Sequence, residues 1–418
     1  MNLLVLCPHF APDLAPTGEV MTQIVDGLVD RGHRLHVVTS LPWYQHHRVE
    51  EEWRGRPWRT EKTAWGRITR AHPFPTDKTN IPARAIAFGG FTGLAAVLAT
   101  ASPARPDVVM AMSPPLTLGL AGRTVAGLRR APFVFNIQDV FPDVAVELGV
   151  LTNRRVIAAA AWLERVSYQA ADAVTVLSED LRDNVVAKLA GRRRGDPGKV
   201  RVIPNFVDTV HIRPADPENT YRKEHGLTGK QVVLYAGNVG LSQSLDLLVE
   251  TARRLADRPD VVFVVNGGGS ALADLRRAAA GLGNVRFVPM QPKERLPEVL
   301  AAGDVHVVPL RRGLAKASVP SKLYSILAAG RPVLASVDEG TEVARTVERA
   351  GAGLAVPPED PDAFSAALVT LLDDPDGARR MGERGRRFVE SWASPAAVAA
   401  RYEELFEELR DADHAGRA

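Results

Sequence analysis

The chain has few of the residues that mark specialised protein classes. Its 418 residues include a single cysteine, Cys7, which excludes an internal disulfide; its place at the end of the first apolar run predicts a core residue. A net charge of +3 is small for this length, so no nucleic-acid footprint is indicated. No histidine or cysteine cluster has metal-ligand spacing, and the late Asp-x-Asp triplets are interpreted as solvated turns.

Long hydrophobic runs are also missing. The segment most similar to a membrane span is 85–101. It is uncharged but rich in alanine and glycine, and it is barely long enough to span a bilayer. We predict a packed helix there, with contact at a membrane surface as the alternative. The first residues lack the basic region of a signal peptide. We therefore expect a cytoplasmic protein, with peripheral contact at the inner face of the cell membrane left open.

Short apolar runs alternate with amphipathic helical stretches, which is typical of parallel sheets covered by helices. The sequence predicts an α/β protein of two facing, Rossmann-like domains with a ligand cleft between them: 1–205, 206–390, and a terminal segment 391–418 whose helix packs back on the first domain. The predicted strands are Leu3–Leu6, Leu35–Thr39, Val108–Ala111, Phe133–Asn136, Val174–Leu177, Val200–Ile203, Val232–Tyr235, Val261–Asn266, Val285–Val288, Val305–Pro309, Val333–Ser336 and Gly353–Val356.

The most informative segment is 311–335. A basic loop leads into a helix predicted to start near Ser318 and to end at Gly330, before a short strand. Backbone N–H groups and cations at a helix N-terminus bind anions, and phosphate is the usual one. The predicted ligands for a phosphorylated molecule are Arg311, Lys316, Ser318, Val319, Pro320, Ser321 and Lys322.

Two glycine turns follow predicted strands of the second domain. Gly237, Asn238 and Gly240 follow the first of these strands, and Gly267 and Gly268 follow the next. They could let a nucleotide approach the backbone, although the second turn could equally be a flexible connection. Neither turn matches Walker A, and no Gly-x-Gly-x-x-Gly follows the first strand of the chain, so a P-loop NTPase and a nicotinamide dinucleotide site are disfavoured.

In the first domain, a proline-rich loop precedes a helix predicted from about Val20 to Asp30. Its residues His9, Thr17, Gly18 and Glu19 are candidates for binding a second substrate, with an ordinary strand-to-helix turn as the alternative. Asp139 follows another strand and could hold a substrate hydroxyl, or serve only as a helix cap.

Taken in order, these landmarks resemble a family 4 glycosyltransferase of the GT-B fold. The resemblance covers essentially the whole chain, and its Gly-Asn-Val-Gly and Val-Pro-Ser-Lys-Leu segments look most like the branch of N-acetyl-L-fucosamine transferases of bacterial surface-polysaccharide synthesis. It implies a nucleotide-sugar donor in the second domain, an acceptor in the first, transfer with retained anomeric configuration, and no cofactor. Lys322 and Asp139 would be the catalytic residues.

The chain departs from the family pattern at two places. Ala317 and Ser325 occupy the positions of the usual Glu-x7-Glu pair, whose second carboxylate holds the donor ribose. Asn238 and Gln243 replace the usual Arg and Lys. Ser325 can still hydrogen-bond a hydroxyl, and the phosphate charge must be met by Lys322, Lys316 or Arg311.

The sequence thus predicts a metal-independent hexosyl- or N-acetylhexosaminyl-transferase, with a UDP-linked donor favoured and a lipid-linked or growing surface glycan as acceptor. Two rivals stay open: a sugar-nucleotide 2-epimerase of the same fold, and a catalytically silent sugar-nucleotide binding protein.

Overall fold

The chain divides into two compact units, one of residues 1–205 and 395–418, the other of residues 206–394. The computed structural model describes residues 1–13, 15–75, 81–143, 146, 151–191, 195–240, 242–313 and 322–415, with the side chains of its second helix described from residue 86 onward. The division falls at 394/395 rather than at the predicted 390/391, because a helix continues to Trp392.

The first unit contains an eight-stranded sheet in the order β3-β4-β2-β1-β5-β6-β7-β8. All neighbouring strands are parallel except β3, which is antiparallel to β4 at the edge. The strands are β1 (Asn2–Leu6), β2 (Arg34–Ser40), β3 (Trp58–Thr63), β4 (Gly66–Ala71), β5 (Val108–Ser113), β6 (Phe133–Ile137), β7 (Ala173–Val176) and β8 (Val200–Val202).

Six helices belong to this unit within the part of the chain that is described. They are α1 (Pro16–Asp30), α2 (Ile81–Thr100), α3 (Thr117–Arg129), α4 (Arg154–Ala170), α5 (Glu179–Leu189) and α14 (Pro395–Ala415), with short 3-10 turns at Glu51–Trp53 and Pro197–Lys199. One core joins α2, α3, α4 and α5 to the sheet, through residues such as Phe91, Val125, Tyr168 and Val185. Burial of this apolar surface is the main stabilising term.

The second unit has a six-stranded parallel sheet in the order β11-β10-β9-β12-β13-β14, the order of a Rossmann sheet. Its strands are β9 (Gln231–Ala236), β10 (Val261–Asn266), β11 (Val285–Val288), β12 (Val305–Pro309), β13 (Val333–Ser336) and β14 (Gly353–Val356). Its helices are α6 (Thr220–Glu224), α7 (Asp246–Arg254), α8 (Leu272–Ala278), α9 (Leu296–Ala301), α10 (Lys322–Ala328), α11 (Glu342–Ala350), α12 (Pro361–Asp373) and α13 (Pro375–Trp392), with a 3-10 turn at Lys293–Arg295.

All twelve predicted strands are found, and the α/β class is confirmed. The edge hairpin β3–β4 was not predicted, because Trp58–Thr63 is mostly polar and solvated and so lacks an apolar run. Helix α1 begins at Pro16 rather than near Val20, since proline suits the first helical position.

Asp360 and Asp374, of the Asp-x-Asp triplets, cap α12 and α13. Cys7 is buried, and burial raises its pKa to about 12.

The C-terminal helix α14 packs on α1 within the first unit. A Cβ atom on Gly27 would lie 2.8 Å from the Cβ of Ala399, so the two helices are in close contact there. On the same helix the buried Tyr402 accepts a hydrogen bond from Nδ2 of Asn136 on β6 at 2.7 Å. Helix α14 is therefore joined to β6 of the first sheet by a buried polar contact.

Replacing Tyr402 with Phe should destabilise the first unit by about 1 kcal/mol, because Asn136 loses one of its buried partners. For a unit of this size the thermal midpoint should fall by roughly 2–4 °C, as followed by scanning calorimetry. Glu408→Gln is the control on the same helix, since its exposed pair with Arg201 is worth less than about 1 kcal/mol. Equal midpoints for Tyr402→Phe and the wild type would contradict this role.

Candidate functional site

The two glycine turns of the second unit lie against each other at the carboxyl ends of β9 and β10. A Cβ atom on Gly267 would lie 1.9 Å from the carbonyl oxygen of Gly237, so no other residue fits there. The backbone N–H of Val239 donates to the carbonyl oxygen of Gly268 at 2.8 Å. Gly237 also has a φ of +142°, which side chains disfavour. The turns form one backbone surface without protruding side chains at Gly237 and Gly267.

Lys322, the first residue of α10, reaches this surface. Its Nζ donates to the hydroxyl of Tyr235 at 2.8 Å and lies 4.2 Å from the centre of the Tyr235 ring. It is also 3.3 Å from where a Cβ atom on Gly237 would stand. Burial lowers the pKa of Lys322 to about 8 from its usual 10.5. The ammonium is thus held next to the first glycine turn in a poorly solvated position.

Tyr235 forms hydrogen bonds with both the Lys322 ammonium and the first glycine turn. Its hydroxyl accepts from Lys322 and donates to the carbonyl oxygen of Asn238, and burial raises the pKa of its phenol. Tyr235 was not among the site residues predicted from the sequence, although a tyrosine two positions before Gly237, near the end of a buried strand, indicates a polar group beside the turn. A polar group in that place must find a partner.

The other residues predicted to bind the donor lie in different environments. Arg311 pairs with Asp246 and Glu359, both at 3.2 Å, and its backbone N–H donates to Ser242. The N–H of Gly240 donates to Oε1 of Gln243 at 2.9 Å. Ser325 is half-buried, one turn along α10 from Lys322. Five residues predicted to bind the donor lie outside the described residues, namely Lys316, Ser318, Val319, Pro320 and Ser321. Ala317 also lies outside them.

In the first unit, His9 is held by neighbours from two loops. Its Nδ1 lies 2.6 Å from Oδ2 of the buried Asp13, and its ring stacks on Trp43 and meets Tyr44 edge-on. The other carboxylate oxygen of Asp13 accepts from the backbone N–H of Tyr44 at 3.0 Å. Asp13 therefore fixes both the histidine and the loop after β2, a role that no pattern in the sequence indicated.

Gly18 has a packing role beside His9. A Cβ atom at Gly18 would stand 2.9 Å from the Cβ of His9, so glycine allows the start of α1 to pack closely against the histidine. Thr17 is half-buried and Glu19 exposed, both in the first turn of α1. Of the four residues predicted to bind the acceptor, His9 lies in the loop before α1 and contacts the rings of Trp43 and Tyr44.

Asp139 lies two residues after the end of β6 and its side chain reaches solvent, while partial desolvation raises the pKa of the carboxyl. The preceding residue, Gln138, is buried and donates to Oδ1 of Asn136 at 2.8 Å. Because Asn136 also bonds Tyr402, a chain of buried amide and hydroxyl groups leads from the C-terminal helix to the residue before Asp139. Such a chain restricts the conformation of this strand end.

Across the described parts of the chain, no three His, Cys, Asp or Glu side chains form a group that could hold a metal ion. No helix of the described residues is both long and apolar enough to cross a membrane.

Comparison with known proteins identifies the family. The model for a glycosyl transferase 4-like domain matches residues 17–205, and the model for glycosyl transferases group 1 matches residues 230–374. The chain belongs to the family 4 glycosyltransferases of the GT-B fold. A relative in Escherichia coli (strain K12), named as the colanic acid biosynthesis glycosyl transferase WcaI, is 28% identical over an alignment of 381 residues that covers 89% of this chain and 92% of the relative.

Solved structures support the same fold. Sucrose-phosphate synthase from Thermosynechococcus elongatus superimposes with a TM-score of 0.69 at 20% identity, over 99% of this chain and 100% of the other. HepE of Anabaena, solved in complex with UDP, gives a TM-score of 0.66 at 14% identity, over 98% of this chain and 100% of the other. The GT-B fold and the glycosyltransferase class predicted from the sequence are confirmed.

The depressed pKa of Lys322 predicts a pH-dependent stability difference from a Lys322→Met variant. Below pH 8 the folded protein carries a buried ammonium, which disfavours folding, and the variant should be the more stable protein. Between pH 8 and 10.5 the unfolded chain binds a proton that the folded chain lacks, so wild-type stability rises with pH and the advantage of the variant shrinks.

Thermal melts of both proteins from pH 6.5 to 10 measure this difference, and other titrating groups cancel in the subtraction. Lys230→Met is the matched control, because Lys230 precedes the opposite end of β9 and donates to the carbonyl oxygen of Pro259. A wild-type-to-variant difference that stays constant over this pH range would show that the Lys322 pKa is not depressed.

Proposed function

We propose that this protein is a retaining glycosyltransferase that takes a sugar from a nucleotide diphosphate and transfers it to a hydroxyl of a lipid-linked or growing surface glycan. The observation that carries the proposal is the Lys322 ammonium beside the backbone surface of Gly237 and Gly267. A cation next to an unobstructed backbone turn suits a diphosphate, which needs both positive charge and N–H donors.

The leaving diphosphate gains negative charge as its bond to the sugar breaks. Lys322 is proposed to stabilise that charge, and its partial desolvation strengthens the attraction because little water competes for the ammonium. The Tyr235 hydroxyl and ring hold the cation before the donor arrives, so little reorganisation is required at the moment of reaction. Binding of the diphosphate should in turn raise the Lys322 pKa, since the anion favours the charged form.

The remaining donor contacts are assigned by position. Ser325 lies on the same helix one turn after Lys322 and can hydrogen-bond a ribose hydroxyl, in place of the carboxylate that the family pattern has there. The predicted residues between 314 and 321 are assigned to the phosphates on sequence grounds. A UDP-linked donor is favoured, and the structure of HepE with bound UDP supports this choice by analogy of fold.

The acceptor is proposed to bind the first unit through Asp139 and the His9 group. Asp139 sits at a strand end and reaches solvent, so its carboxyl can orient an acceptor hydroxyl. The departing phosphate is proposed to take the acceptor proton, which makes Asp139 an orienting residue rather than a base. The acceptor proposal is consistent with the similarity to WcaI, a glycosyl transferase whose name places it in the biosynthesis of colanic acid.

Lys322→Ala should weaken the binding of a nucleoside diphosphate by about 1–3 kcal/mol, the range for a hydrogen bond to a charged group. Titration calorimetry at pH 7 measures the affinity, with Lys230→Ala as the control from the other end of β9. The matching transfer assay should show a comparable or larger loss of rate. Wild-type affinity in Lys322→Ala would remove the lysine from the donor site.

Transfer itself is tested with a panel of nucleotide sugars, a polyprenyl diphosphate sugar as acceptor, and excess chelator. We expect a lipid-extractable product whose new linkage keeps the anomeric configuration of the donor, as measured by NMR of the released glycan. Activity should be unchanged by the chelator, because Lys322 supplies the positive charge. Conversion of the donor without any acceptor would indicate the epimerase, and tight donor binding without turnover would indicate the silent binding protein.

A further inference from the structure

The loop between β1 and α1 is fixed on both sides of His9. Before the histidine, the carbonyl oxygen of Pro8 accepts a hydrogen bond from Oγ of the buried Ser40 at 2.6 Å. After it, the carbonyl oxygen of Ala11 accepts from the buried guanidinium of Arg70. The backbone around His9 is therefore bonded to β2 and to β4, the strands that carry Ser40 and Arg70. A loop fixed in this way has its binding geometry before a ligand arrives.

The imidazole ring of His9 is held on three sides. Trp43 stacks on it with ring centres 5.7 Å apart, and Tyr44 meets it edge-on at 5.1 Å. The third contact is the one between Nδ1 and Oδ2 of Asp13, at 2.6 Å. The other ring nitrogen, Nε2, has no hydrogen-bond partner among the described residues and is not fully buried, so it is open to solvent.

The Asp13 carboxylate determines which ring nitrogen carries the proton. Its side chain is fully buried, and its Oδ1 accepts from the backbone N–H of Tyr44 at 3.0 Å. An ionised carboxylate has only acceptor sites, so Nδ1 of His9 must be the donor in their contact. In a neutral imidazole the second nitrogen is then an acceptor. A carboxylate bonded to Nδ1–H holds an imidazole in one tautomer and one orientation, and here it leaves the lone pair of Nε2 facing solvent.

A lone pair on a fixed nitrogen selects a ligand group that donates. Sugar hydroxyls can donate, whereas an ionised diphosphate and a prenyl chain have no donor to offer. The half-buried rings of Trp43 and Tyr44 lie next to this nitrogen. Aromatic surroundings with a small number of placed polar groups are typical of small-molecule sites. Nε2 of His9 therefore fits the sugar part of an acceptor rather than its lipid or phosphate part.

We propose that Asp13 is a positioning residue, which holds His9 with the proton on Nδ1 so that Nε2 accepts a hydrogen bond from a hydroxyl of the acceptor sugar. His9 orients this hydroxyl and does not remove its proton, which the departing phosphate takes in the proposed reaction. The inference rests on the proposed function for the identity of the acceptor. The tautomer, in contrast, follows from the contacts of Asp13 alone.

Nitrogen NMR of the full chain, isotope-labelled at histidine, tests the tautomer without any transfer assay. At about pH 8.5, where an ordinary imidazole is neutral, protonated and unprotonated ring nitrogens have separate chemical shifts. The signals of His9 are those that disappear in His9→Gln. Nδ1 is expected to be the protonated nitrogen in the wild type. Asp13→Asn should move the proton toward Nε2, because the amide oxygen stays with the N–H of Tyr44 and its NH2 group then faces Nδ1.

The same spectra test the ligand. A short-chain polyprenyl diphosphate sugar, added without donor, should move the Nε2 signal of His9 toward that of a protonated nitrogen, since the lone pair then accepts a hydrogen bond. The same polyprenyl diphosphate without its sugar is the matched control and should leave the Nε2 signal unchanged.

Transfer kinetics separate positioning from a merely structural role. His9→Ala and Asp13→Asn should each raise the acceptor KM about five- to tenfold, the loss of one hydrogen bond, while the affinity for a nucleoside diphosphate stays unchanged. The double variant should be no worse than His9→Ala, because Asp13 acts through His9. His9→Gln should keep part of the acceptor affinity, since its amide oxygen can stand near the position of Nε2.

Asp107→Asn is the matched control for the lost carboxylate. Oδ2 of Asp107 accepts from the backbone N–H of Asn2 at 2.7 Å, at the opposite end of β1 from His9. This substitution should leave the acceptor KM at the wild-type value.

A protonated Nε2 in the wild type would overturn the inference, as would an acceptor KM that His9→Ala leaves unchanged. Effects of His9→Ala and Asp13→Asn that multiply in the double variant would show that Asp13 does not act through His9. An Nε2 signal that does not respond to the acceptor sugar would also reject the inference, whether or not transfer occurs. A response of Nε2 without any product would instead contradict the proposed function and support the role of His9, so the two failures are distinguishable.

Discussion

The contact on which the proposed donor site depends is the one between the Lys322 ammonium and Tyr235. Tyrosine supplies both an acceptor oxygen and the negative face of a ring, and these partly compensate for the water that burial removes from the cation. The compensation is incomplete, as the lowered pKa of Lys322 shows. A diphosphate can supply what is missing, so the same desolvation that disfavours the free ammonium favours binding of the anion.

The glycine turns make this arrangement possible. Tyr235 and Gly237 are two residues apart, so the strand that delivers the hydroxyl also delivers the turn, and the hydroxyl bonds the carbonyl oxygen of Asn238 within that turn. Gly267 lets the neighbouring turn approach the Gly237 carbonyl oxygen more closely than any side chain would allow. The Lys322 ammonium, the two glycine turns and the ends of β9 and β10 are thus in direct contact. A substitution in any one of them should therefore change the positions of the others.

The sequence predicted most of the fold because parallel strands buried on both faces have a strong apolar pattern, as Val261–Asn266 and Val333–Ser336 do. It missed the edge hairpin β3–β4, whose first strand consists mostly of polar residues that face solvent. Within the site, glycine spacing and Lys322 were predictable because they are local features. Asp13 and the chain from Tyr402 to Gln138 were not, since each depends on partners that only the folded chain brings together.

A crystal structure of the protein with a bound nucleoside diphosphate would test the central claim, that Lys322 and the glycine turns hold the donor diphosphate. The result expected is a phosphate oxygen about 2.7–2.9 Å from Nζ of Lys322, the distance of a charge-assisted hydrogen bond, with the diphosphate against the turn of Gly237 and Gly267. A well-ordered diphosphate bound elsewhere, with Nζ of Lys322 still hydrogen-bonded to Tyr235 alone, would contradict the claim.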